Sequence, residues 1–333
     1  MSMKYWGQML AAFLGAAFVA NALCYFYYSP AVQTDNPASY TECKSESSIH
    51  NPHGTEGYGT AVIDDNGFNN ANLFPWREAE ILCVGSSQTE AQHINWDENY
   101  VYLLNQMHPE AKVYNLGVSA QSFANSIYRI PALKENFPDC RVIIFEINSW
   151  PSAEQLEVAQ KYMETGEIPA RDLSWKRGNV LLSTVGHIPL CRLLWSQYDN
   201  SRKTKAVASA KSPQVLEDNY KDLVRETLVL AKKQAGNTQL IIFYLSQGKI
   251  NRDGAFQLND TQGKSEAIRD ACQELGITFV DMGSTYLDHY DKQRLLPYGF
   301  WNSKVGSGHL NAQGHKMIAE TLSHTLKKEG ICP

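Results

Sequence analysis

From Ala79 onward, short apolar runs alternate with amphipathic stretches, and this rhythm sets the expected architecture. Ile81-Leu82-Cys83-Val84 runs straight into Gly85, the pattern of a parallel strand buried on both faces. That strand is predicted over 79–85. Others follow at Lys112–Asn115 (ending in Leu116-Gly117), at Arg141–Ile147 (closing at Asn148), at Gln239–Leu245 and at Ile277–Asp281. Helices are predicted over about 97–107, 121–136, 214–235, 263–275 and 312–328. In the first, Tyr100, Leu103, Leu104 and Met107 share a face at i, i+3, i+4 and i+7; in the last, Ile318, Leu322 and Leu326 form one stripe. Strand–helix alternation with short connections implies a three-layer α/β/α sandwich with a central parallel sheet and right-handed crossovers.

Three stretches depart from the rhythm. No charged residue occurs from Tyr5 to Tyr28. Roughly 20 apolar residues span a bilayer, so residues 1–28 read either as a membrane anchor with Tyr25–Tyr28 at the far interface or as a signal peptide cut near Ala20-Asn21-Ala22. Both readings export the rest of the chain. Residues 29–60 are rich in Ser, Asn, Pro, Gly and Thr and read as a linker or lead-in. Asp65-Asn66-Gly67 is a turn signal that makes Thr60–Ile63 a small hairpin or edge strand. Residues 61–333 form the expected domain. Within it, 151–215 read as an insertion: either a lid over the active edge or an elaboration away from it.

Composition changes little. At 43% apolar and 20% charged, the 333-residue chain is an ordinary globular protein, and a net charge of -5 offers no basic footprint for nucleic acid. The seven cysteines show no CxxC or metal-like spacing. Cys83 reads as a buried hydrophobe; Cys43, Cys191, Cys272 and Cys332 are open to pairing in an oxidising compartment.

The candidate chemistry sits at strand ends, the carboxyl edge where open α/β sheets bind ligands. Ser87 lies where the first strand breaks into a helix, and His309 lies in the loop before the last helix. A serine in this place either caps the helix or, with a base at hand, acts as a nucleophile. Four segments in order, Gly85-Ser86-Ser87, Asn115-Leu116-Gly117, Asn148 and Gly308-His309-Leu310-Asn311, resemble the blocks of SGNH hydrolases, also called GDSL-type esterases. The resemblance spans about residues 60–328 and is weakest across 151–237. It implies an SGNH/flavodoxin-like fold, Ser87 as nucleophile and His309 as base. It also implies an oxyanion hole formed by the N–H groups of Ser87 and Gly117 and the Asn148 amide.

Three positions depart from that pattern. Ser86 replaces the usual Asp, Gln121 and its neighbours lack the second glycine, and Gly306 stands where the orienting acid is expected, three residues before His309. Either the site is a Ser–His dyad or another group orients His309: a backbone carbonyl, Asp281, Asp288 or Asp291.

The implied activity is a serine ester hydrolase, exported or membrane-tethered, using neither metal nor organic cofactor. The domain would lie outside the cytoplasm, in a periplasm or at a bacterial cell surface. Its substrate would be a small-molecule, carbohydrate or lipid ester, and Tyr286, Tyr290, Tyr298, Phe300 and Trp301 offer either sugar-stacking rings or loop core. Two other functions stay open: an O-acyltransferase modifying an exported polysaccharide, and a binding protein with a decayed site.

Overall fold

A computed structural model describes residues 3–27, 47–50, 56–71, 73–166, 219–259 and 261–333, with isolated positions between 188 and 198. Helix α1 (Met3–Tyr27) is continuous, and its Lys4–Cys24 stretch is long and apolar enough to cross a membrane. Strand β1 (Ser47–His50) pairs antiparallel with β2 (Thr60–Ile63). The partner of β2 thus lies upstream, while an isolated bridge from Ile63 to Asn69 closes the Asp65–Gly67 turn.

The central sheet starts with β3 (Ile81–Gly85), flanked by β4 (Val113–Gly117) and β5 (Val142–Ile147). A hairpin of β7 (Gly248–Ile250) and β8 (Phe256–Leu258) follows β6 (Gln239–Tyr244) and precedes β9 (Thr278–Asp281). The sheet order is β4-β3-β5-β6-β9, and every pairing in it is parallel. The predicted strands and the α/β/α architecture are therefore present; the β7–β8 hairpin had no periodic signal long enough to reveal it.

Alternation along the strands divides the core. Leu82, Val84, Ile143, Phe145 and Ile242 pack beneath α4 (Phe123–Ile127), α5 (Ile130–Asn136), α6 (Ala153–Thr165), α7 (Tyr220–Ala235) and α8 (Lys264–Leu275). Ile81, Cys83, Ile144, Ile241 and Phe243 pack beneath α3 (Tyr100–Met107), α9 (Gly283–Gln293) and α10 (Ala312–Lys328). Side chains two apart share a face, so continuous apolar strands cover both layers. The helix predicted over 121–136 is two helices. Pro131 near the start of α5 supplies no N–H and its ring would collide with the carbonyl four residues back, so the chain re-initiates there. Of the predicted insertion, α6 packs against α7 in the helical layer; most of 167–218 lies outside the described residues. Cys24, Cys83, Cys140, Cys191, Cys272 and Cys332 are free thiols, and Cys43 lies outside the described residues.

His315 on α10 is buried, and its Nδ1 accepts the Tyr100 N–H at 3.3 Å. Desolvation, and secondarily the charge of His309, lowers its pKa to about 3. In the unfolded chain this imidazole titrates near ~6.5. The unfolded state therefore binds the extra proton first. Stability is complete above about pH 6.5 and is lost as pH falls toward 3, at about 1.4 kcal/mol per pH unit. His315→Asn keeps an acceptor for Tyr100 but does not titrate. Its melting temperature should fall less steeply than the wild type's between pH 6.5 and 4, and parallel slopes would remove His315 as the source.

Candidate active site

The break after β3 is built by two serines with different tasks. Ser86 is the N-cap of α2 (Ser87–Glu90), its Oγ accepting the Gln88 N–H at 3.3 Å. Capping thus falls to Ser86, and the Ser87 hydroxyl is free to face His309: Oγ lies 2.9 Å from Nε2. As the first residue of the helix, Ser87 has an N–H with no partner inside it.

His309 is held from three sides. The Leu310 N–H donates to Gln88 Oε1 at 2.8 Å, tying the backbone beside His309 to the residue after Ser87. The His309 N–H donates to Glu56 Oε1 at 2.7 Å, and its Nδ1 lies 2.8 Å from Glu56 Oε2. The imidazole of His93 stacks on that of His309, with centroids 3.7 Å apart and planes inclined by 23°. A carboxylate on Nδ1 holds the proton there and leaves the Nε2 lone pair for the serine, the tautomer a general base needs. The His309 and Glu56 side chains retain 27% and 19% exposure, so the site opens to solvent.

Glu56 is therefore the acid in contact with His309, and Asp281 and Asp288 stand elsewhere. Asp281 ends β9, accepting the Gly283 N–H at 2.8 Å and bonded to Ser246 Oγ. Asp288 pairs with Lys292 one turn along α9 on an exposed face. Asp291 belongs to the same helix. The acid that does reach His309 comes from upstream of the sheet, out of the segment read as a polar lead-in. Its one sequence signal was indirect: Gly306 stands in the usual place, which left a dyad or a different orienting group.

That upstream segment is secured on β4. The Asp64 carboxylate accepts the Phe68 and Asn66 N–H groups at 3.0 and 2.9 Å and bonds the Tyr114 hydroxyl. The Asn70 side chain accepts the Asn115 N–H at 2.7 Å and donates to its carbonyl at 3.0 Å, mimicking a strand.

The expected oxyanion donors fare differently. The Gly117 N–H donates to Asn115 Oδ1 at 2.8 Å and is not available to a substrate. A Cβ on Gly117 would lie 2.1 Å from the Glu90 nitrogen, so this glycine lets α2 pass over the end of β4. In the loop beyond, Ala120 takes the left-handed conformation (φ 64) where the second glycine is missing. Asn148 does reach the turn after β3. Its Oδ1 accepts from Gln247 Nε2 at 3.2 Å, which directs Nδ2 toward Ser86 Oγ, 3.4 Å away.

Beneath the turn lies a buried carboxyl that sequence reading passed over. Glu146 on β5 bonds Ser86 Oγ and Thr89 Oγ1 and accepts the Ser86 N–H at 3.3 Å. Thr89 Oγ1 in turn lies 2.9 Å from the Tyr100 hydroxyl. Burial pushes the Glu146 carboxyl up, and the hydrogen bonds only partly offset this. A single acid inside the apolar run Val142–Ile147 was the available signal, because such a residue must find partners. Of the aromatic residues near His309, Tyr286, Tyr290 and Tyr298 are core, Phe300 packs on His93, and Trp301 is 80% exposed.

Among the described residues, two groups offer metal-binding side chains with donor atoms within 4.8 Å of one another: Glu56, His93 and His309, and His108, Glu110 and Cys332. In the first, both His309 nitrogens are already engaged and the rings stack face to face, whereas shared coordination needs their edges to converge.

No family model matches the chain, and no curated protein matches it. Solved structures do. It is similar to a member of the lipolytic G-D-S-L family from Veillonella parvula, at 16% identity over 75% of this chain and 98% of that one, with a TM-score of 0.38. A lipolytic G-D-S-L protein from Desulfitobacterium hafniense is similar at 11% identity, covering 74% and 99%, with a TM-score of 0.39. A catalytic mutant of an acetylxylan esterase from Geobacillus stearothermophilus is similar at 14% identity, covering 74% and 93%, with a TM-score of 0.38. The chemistry rests on the side chains of this chain's own site.

Proposed function

We propose that the chain is a serine ester hydrolase in which Ser87, His309 and Glu56 form the catalytic triad. One observation carries this: Ser87 Oγ at 2.9 Å from His309 Nε2, with the Glu56 carboxylate at 2.8 Å from Nδ1 of the same ring. Ser87 Oγ attacks the ester carbonyl as His309 Nε2 takes its proton. The tetrahedral oxyanion meets the Ser87 N–H and the Asn148 amide. Collapse breaks the bond to the alcohol oxygen, which leaves with the proton from Nε2. Water, deprotonated by His309, then releases the acid from Ser87.

The acid's absence from its usual place was the motive for a dyad or a decayed binding module. The Glu56 contact supports a triad over both. The apolar α1 supports an exported or membrane-tethered enzyme, and the solvent-open site supports small-molecule, carbohydrate or lipid esters.

A fluorophosphonate tests the nucleophile directly. Ser87 Oγ should displace fluoride and leave one phosphonyl group per chain, located at Ser87 by peptide mass spectrometry. The adduct should be absent from Ser87→Ala. No adduct on the wild type, or equal labelling of the variant, would sink the proposal.

A further inference from the structure

We infer that Asn302 and His93 are positioning residues that act on the reaction through Glu56, so that the acid works only while its segment is latched between two loops. The inference rests on the triad proposed above.

Glu56 lies between β1 and β2, outside both strands, so contacts from other loops bear on its placement. Asn302, in the loop before His309, provides two of them. Its Oδ1 accepts the Gly57 N–H and its Nδ2 donates to the Gly57 carbonyl, both at 2.9 Å. This amide-to-backbone pair fixes the peptide immediately after the acid, across 245 residues of sequence. His93, in the loop after α2, provides the third. Its Nδ1 lies 3.0 Å from the Glu56 carbonyl oxygen while its ring stacks on His309. One imidazole thus touches both the acid's backbone and the base's ring.

Close packing completes the seat. A Cβ on Gly59 would lie 2.1 Å from the Ile94 carbonyl oxygen, and one on Gly57 would lie 2.3 Å from that of His93. Gly57 also has φ +72, a conformation that disfavours side chains. The segment 56–59 is therefore pressed against the nucleophile's loop on one side and clamped by the base's loop on the other. A catalytic group displaced by about 1 Å can lose on the order of 10² in rate, so the latch is where this enzyme's geometry is most exposed to a distant change.

The experiment is a double-mutant cycle on p-nitrophenyl acetate with the full chain. Asn302→Ala should lower kcat about 10- to 100-fold with KM within about twofold, because no contact to the ester is lost. His93→Phe keeps a stacking ring without Nδ1 and should lose less than His93→Ala. In a Glu56→Gln background, Asn302→Ala should cost less than about twofold, since the carboxylate it places is gone. The downfield Nδ1 proton of His309 should weaken in Asn302→Ala and vanish in Glu56→Gln, with thermal unfolding retained.

Wild-type turnover in Asn302→Ala, beside an inactive Ser87→Ala, would overturn the latch alone. Equal losses from Asn302→Ala in both backgrounds would do the same, because the residue would then act independently of Glu56. Full turnover in Ser87→Ala would overturn the triad and the latch together.

Discussion

Ser87→Ala and His309→Ala should each lower kcat on p-nitrophenyl acetate by about 10⁵- to 10⁶-fold, and the double variant should be scarcely worse than either. The two side chains make one nucleophile: without Nε2 the hydroxyl keeps its proton, and without Oγ the imidazole has nothing to activate. Losses that overlap in this way distinguish a coupled pair from two residues that separately help binding. KM should change little, because neither group is invoked to hold the ground-state ester. Ser87 lies at a solvent-open turn whose cap is Ser86, so Ser87→Ala should unfold within about 2 °C of the wild type. Wild-type, Ser87→Ala and His309→Ala rates that coincide would remove the serine-hydrolase reading. A normal rate in His309→Ala alone would assign the base elsewhere.

What was legible in the sequence and what was not divide along physical lines. Strands β3, β4, β5 and β6 are buried on both faces over nearly their whole length, so each wrote a mostly apolar run, whereas β9 is a half-buried edge strand. The Ser87–His309 pairing was legible through the four ordered segments that resemble the SGNH blocks, although His309 follows α9 and not a strand end. Gly117 was misread because glycine serves two opposite ends, freeing an N–H or permitting close approach, and only coordinates show which. Even so, Asn115 two residues earlier was a signal, since Asx side chains accept the N–H two residues on. Glu146 was passed over although an acid in an apolar strand asks for an explanation. Glu56 was beyond reach for a different reason. It belongs to no periodic element, and the bonds that place it span about as much sequence as the domain itself.

Glu56 carries the second large effect. Glu56→Gln should lower kcat by about 10⁴-fold while leaving KM and the fold nearly intact. The amide oxygen of Gln can still accept the His309 N–H, so the backbone contact survives the change. At the ring, however, Oε2 is replaced by an NH₂ group, which donates where the carboxylate accepted. The imidazole then keeps its lone pair on Nδ1 and its proton on Nε2, facing Ser87 with a donor in place of a base. The wrong tautomer, more than a displaced ring, accounts for the expected loss. Glu56→Asp separates these causes: it retains the acceptor but falls one methylene short, and should be impaired less than Glu56→Gln. A loss below about tenfold in Glu56→Gln would mean that the site runs as a Ser–His dyad. The contact between Glu56 and His309 would then be structural.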